Sequence, residues 1–281
     1  MPRHPRILTA TLLCGVALLL LAAPVRAALP ASETRRIVTA LLDMLDDDSP
    51  AQALRDIARY REAGFVHQPA LAVSEETCPT EDEDQRAVLS GMIAADRSFA
   101  FFFGKPEDAL RENRLLQSLW RQKLPSPGKE ELRILRDKPQ SERARSIAEK
   151  YRKQEYAAFV RAAAGDERLL RLLGAHIYGI YIERLYMTSV MVLAAAESDE
   201  LEPLFLVHQT LADHHGKALE LLGREAMLGD ADENDRRAGL VARLQHLLTA
   251  DKGRPTLDGL REIVTLTQEE RTIYLTPCPL P

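Results

Sequence analysis

Apolar residues recur every three to four positions along most of this chain, and the strict alternation of a half-buried strand is almost absent. Ile37, Val38, Leu41, Leu42 and Leu45 mark a helix over residues 32–45. Asp46-Asp47-Asp48 ends it, and Ser49-Pro50 opens a second helix that Gly64 closes. Residues 65–79 read as a loop broken by Pro69 and Pro79, and Thr80-Glu81-Asp82-Glu83 has the form of a capping box. The helix after it carries Val88, Leu89, Met92, Ile93, Phe99, Phe102 and Phe103, and a further helix runs over 107–123. The pattern resumes over 130–137, 141–164, 174–196, 201–222, 235–249 and 257–274. The predicted fold is all-α, a helical bundle. Leu124–Gly128 (LPSPG) is the best break in it, dividing an N-terminal half (28–124) from a C-terminal half (125–281) packed with it as one unit.

Gly174–Ala196 is apolar on nearly every face, interrupted by His176, Glu183 and Arg184. Such a helix crosses a membrane or lies in the middle of a core. The Glu-Arg pair near its midpoint argues for the core, since a charge at bilayer depth costs at least about 2.5–3.5 kcal/mol. A carboxylate on the core side must be paired, hydrogen-bonded or protonated. Glu183 therefore becomes the residue to explain.

Composition adds little to this but excludes several classes. A net charge of −5 comes with no basic patch of the nucleic-acid kind, so no nucleic-acid partner is expected. The first residues carry Arg3, Arg6 and a partly charged His4, followed by an apolar run over 7–23 and then Val25-Arg26-Ala27. This is the form of a signal peptide (1–27) cleaved before Ala28, which predicts a periplasmic or secreted protein with no stable membrane insertion after signal removal. Of the 3 cysteines, Cys14 falls in that run. The other two, Cys78 and Cys278, each beside proline, are expected to form a disulfide in an oxidising compartment. No C-x-x-C motif supports redox or zinc-ribbon chemistry.

Asp96-Arg97-Ser98-Phe99 and Glu183-Arg184-Leu185-Tyr186 share the order acid, arginine, any residue, aromatic, and each follows a glycine, Gly91 or Gly179. The echo suggests two diverged helical hairpins. These segments, AADRSFA and GIYIERLY, resemble a family of exported, all-helical bacterial proteins of uncharacterised role. The resemblance covers the two hairpins, carries no catalytic motif, and implies an exported helical bundle.

In an antiparallel hairpin, residues equally far from the turn face one another. With the second turn near Ser198-Asp199, Glu183 falls opposite His214 or His215, and the expected buried pair is Glu183–His215. The same construction on the first hairpin sets Asp96 against Asn113 or Arg114. Such pairs fix helix register. A second reading makes Glu183 and His215 the polar end of a small-molecule pocket walled by Tyr178, Tyr181 and Tyr186. A third, less favoured, is a metal-dependent enzyme using His176, Glu183, His208 and His215, although no Glu-x-x-His motif occurs. No nucleophile elbow and no Gly-rich phosphate loop are present, and no cofactor is expected. The reading is of a non-enzymatic protein that binds or scaffolds an unknown protein or small-molecule partner, with a small-molecule carrier as the alternative.

Overall fold

The computed structural model describes residues 30–275 except 63, 74–80, 106, 110, 113, 115–126, 139–140, 197–200 and 224–230. The expected signal peptide (1–27), Cys78, Cys278, Asn113 and the proposed boundary at 124/125 all lie outside the described residues. The described residues are helical, with no named strand. Helix α1 is Ala31–Asp43, α2 Ser49–Glu62, α3 Glu83–Phe102, α4 Lys129–Asp137, α5 Glu142–Ala163, α6 Glu167–Ala194, α7 Leu201–Gly223, α8 Ala231–Leu248 and α9 Leu257–Tyr274. Single 3-10 turns follow α1, at Met44–Asp46, and precede α3, at Pro69–Leu71. No described helix is long and apolar enough to cross a membrane.

Local sequence explains where the helices begin. Asp166 caps α6 by accepting from the Leu169 amide at 3.1 Å, and Thr256 caps α9 through the Gly259 amide at 3.0 Å. Helix α3 is capped by Asp82, which accepts from the Gln85 amide at 2.9 Å, two residues after the Thr80 that the capping-box pattern suggested.

Helix α6 is the axis of the bundle. It runs for 28 residues, is buried through almost its whole middle, and is flanked by α3, α5, α7 and α9. Its partner α3 runs parallel to it. Contacts advance together along the two helices, from Glu83–Arg168 through Ser90–His176 to Asp96–Glu183. Helix α7 returns antiparallel, as the hairpin pattern predicts, with Ser189 opposite His208 and Arg184 opposite His215.

The α3–α6 contact is backbone on backbone. A Cβ built on Gly91 would lie 1.9 Å from the His176 carbonyl oxygen, and one on Gly179 would lie 2.0 Å from that of Val88. Each glycine is the flat spot against which the other helix rests. The two glycines of the sequence echo thus meet across a single crossing, and that close approach is a physical reason for glycine at both.

Replacing either Gly91 or Gly179 by alanine forces backbone apart from backbone. A loss of about 3 kcal/mol or more is expected in urea denaturation, the upper end for overpacking. Gly239, in α8, has nothing within 4 Å of its built Cβ. There alanine should gain up to about 1 kcal/mol, from helix propensity alone.

Candidate functional site

Adjacent on α6, Glu183 and Arg184 point about 100° apart around the helix and enter different surroundings. Glu183 is fully buried and faces α9. Arg271 grips it with two hydrogen bonds, Nε to Oε2 at 2.7 Å and Nη2 to Oε1 at 2.9 Å. The same guanidinium donates to the Leu71 carbonyl at 2.6 Å and lies 4.1 Å from the centre of the Tyr186 ring. Asp96 of α3 joins this group from the other side. Its Oδ2 accepts from the Val73 amide at 2.8 Å, while its buried Oδ1 meets no donor. A proton on Asp96, donated to Glu183, satisfies that oxygen. Burial, followed by the negative charge of Glu183, holds the Asp96 carboxyl well above the usual carboxylate range. Burial raises the Glu183 carboxyl as well, but Arg271 opposes that rise, so Asp96 is the member more readily protonated.

This corrects the expected pairing. Glu183 is met by Arg271, and His215 is met by Arg184. Arg114 is exposed and does not reach Asp96. The tyrosines expected to wall a pocket beside Glu183 are dispersed. Tyr178 donates to Glu270 at 2.8 Å, Tyr186 stacks under Arg271, and the buried Tyr181 hydroxyl has no partner among the described residues. The region around Glu183 is a packed ionic network.

A cavity lies on the neighbouring face, beside Arg184. It encloses about 70 Å³ between α3, α5, α6 and α7, with the 3-10 turn after α1 at one side. Helical spacing supplies its walls: Arg97 and Ser98 from α3, Arg152, Glu155, Tyr156 and Phe159 from α5, His176, Ile180 and Arg184 from α6, His214 and His215 from α7. Of the predicted ligand-binding residues, only His215 lines it. Three guanidiniums face one carboxylate there, and Arg97 already holds that carboxylate, Glu155, at 3.2 and 3.3 Å.

Arg184 is the unusual member. It is 5% exposed, and no carboxylate stands within ion-pair distance of it among the described residues. Its Nη1 donates to His215 Nε2 at 3.1 Å, and its Nε has no acceptor. Burial, with Arg152 nearby, brings its pKa down to about 9, so it is still a cation at neutral pH. His215 Nδ1 lies 2.8 Å from the Leu211 carbonyl oxygen, so that nitrogen carries the proton and Nε2 offers its lone pair to Arg184. Arg152 is half-buried, and its two nearest acids are engaged elsewhere, Glu149 by Arg55 and Asp48 by Lys153.

The histidines are neutral. Burial brings His176 down to about 3 and His208 and His214 to about 4, and pushes His215 well below its ordinary value. His176 Nδ1 donates to Ser90 Oγ at 2.8 Å, because that hydroxyl gives its own proton to the Ala87 carbonyl at 2.7 Å. His208 Nε2 lies 2.7 Å from Ser189 Oγ. The alternative metal set of His176, Glu183, His208 and His215 is therefore spread over four separate hydrogen-bond partners. Among the described residues, no three such side chains converge on one point.

No family model, no characterised protein and no solved structure matches this chain.

Two outcomes follow from this geometry. Glu183→Gln leaves the Arg271 charge buried without its counter-ion and should cost about 3–5 kcal/mol in urea denaturation. Acid should also weaken the fold. Below about pH 6.5 the unfolded chain binds protons that these four histidines, three buried and His214 half-buried, refuse until their own lower pKa values are reached, so stability falls as pH drops from 6.5 towards 4. Asp96 works the other way, its contribution being lost as pH rises above about 4. For His208 alone the loss by pH 5 is about 2 kcal/mol. His208→Gln should flatten the profile of melting temperature against pH between 7 and 5.

Proposed function

We propose that this chain is an exported, non-enzymatic helical-bundle protein that binds a small molecule in the cavity beside Arg184. Export is supported by the basic start, the apolar run over 7–23 and the Val-Arg-Ala before Ala28. The observation that carries the binding reading is a cation kept out of water at a cavity wall, with no carboxylate within ion-pair distance of it among the described residues. A buried charge without a partner is among the costliest features a core can hold, and a ligand that completes it is a reason to keep it. The small-molecule reading therefore moves from the Glu183 face to the next face of the same helix.

The scaffold reading has less behind it. The exposed large apolar residues Val66, Leu132, Leu206, Leu257 and Ile273 are spread over a loop, α4, α7 and both ends of α9. Single exposed apolar residues need no partner.

A thermal-shift screen of small metabolites of mixed charge on the purified protein tests the proposal. Compounds that raise the melting temperature of the wild type, and lose that effect when Ala94 at the cavity wall is enlarged to Phe, support a ligand in this space. A screen in which nothing stabilises the wild type, or in which every active compound acts equally on the Ala94→Phe variant, would remove it.

A further inference from the structure

Resting on the reading of this cavity as a binding site, we infer that its ligand is an oxyanion, a carboxylate, phosphate or sulfate group, received by Arg184 together with Arg152. The argument is one of unmet donors. A guanidinium presents five N–H groups in a planar fork that fits the two oxygens of a carboxylate or phosphate. Arg184 lies within the cavity wall, 5% exposed, with Nη1 given to His215 and Nε given to nothing. Arg152 approaches from α5 and brings a second positive charge to the same space, and its own neighbouring acids are occupied by Arg55 and Lys153.

The acceptors already present do not answer this demand. Glu155 is the carboxylate in the wall, and its oxygens face Arg97. Asp47, at the end of the 3-10 turn, is an exposed acid that comes no nearer than 4.0 Å to His214. His215 offers one lone pair, and that is the one Arg184 uses. The excess of donors over acceptors is thus built into three helices at once.

Size and polarity narrow the class. A space of about 70 Å³ suits a single oxyanion head. Ile177, Ile180 and Phe159 form an apolar wall beside the cations, which gives a short hydrophobic body somewhere to lie. Free inorganic anions and small organic acids share the head chemistry and differ in whether that wall contributes.

Melting temperature of the purified protein, read with sodium sulfate, phosphate, acetate or benzoate against sodium chloride at matched ionic strength, tests this. At least one oxyanion should raise it by about 5 °C or more at a hundredfold excess over its Kd. A larger effect of benzoate than of acetate identifies an organic acid, and a larger effect of sulfate or phosphate identifies an inorganic one. Arg184→Met should abolish the shift while leaving the anion-free protein at least as stable as the wild type, because the uncompensated charge is gone. Arg152→Met, at a half-buried position, should weaken binding about tenfold or more by calorimetry. The inference is overturned if no oxyanion outperforms chloride, or if the shift survives in both variants. A neutral compound that stabilises the protein while every oxyanion fails would overturn the anion and leave the cavity a binding site. Failure of both kinds of compound would end both readings.

Discussion

Two backbones touch where α3 crosses α6, and that touch sets the spacing of everything around it. With no side chain at Gly91 or Gly179, the helices close to a distance at which Ser90 reaches His176 and Asp96 reaches Glu183. A wider crossing would open voids along the whole seam, because packed interiors lose dispersion contacts steeply with small gaps. It would also separate Asp96 from Glu183 and leave the Asp96 carboxyl without the neighbour that takes its proton.

Around that crossing α6 handles its two charges in opposite ways. Glu183 is answered by two bonds from Arg271, with the raised carboxyl of Asp96 beside it. The Glu270–Tyr178 bond strengthens the same seam between α6 and α9, with Tyr274 donating to Glu270 along α9 and buried Arg237 5.2 Å from the centre of the Tyr178 ring. Arg184 receives only a neutral imidazole. A network with all its members satisfied fixes one arrangement of helices, and a partly satisfied one costs stability. The contrast between adjacent residues is what separates the structural face of α6 from the face that holds a cavity.

Much of the fold was legible in the sequence because helix periodicity, caps and the long apolar stretch all pointed the same way. The burial of α6 and its return through α7 could be read from local pattern; the echo picked out Gly91 and Gly179, but not that they meet at one crossing. The partners of Glu183 and His215 could not. Counting from a turn places residues along a helix to within about one position, and one position swings a side chain by about 100°. That error is small in height and decisive in direction, so His215 met Arg184 in place of Glu183. Arg271 lies on the last helix, whose contact with α6 follows from no local connection. Its signal was present all the same: Glu270 and Arg271 interrupt an apolar stripe that runs through Leu260, Ile263 and Tyr274. Likewise, Arg97, Arg152 and Arg184 are far apart in the chain, and only the assembled bundle brings them to one space.

The divergence of Glu183 and Arg184 also bears on how this chain can change in length. Inserting or deleting one residue in the first half of α6 would rotate the remainder of the helix by about a quarter turn and more. The acid would then be carried out of reach of Arg271, and the glycine out of the crossing, in a single event. Descendants of this sequence are free to grow or shrink at the exposed turn around Lys252 and Gly253, where both residues already have positive φ and a short loop joins α8 to α9. Within the axial helix they are held to a fixed count of residues, whatever their identities become.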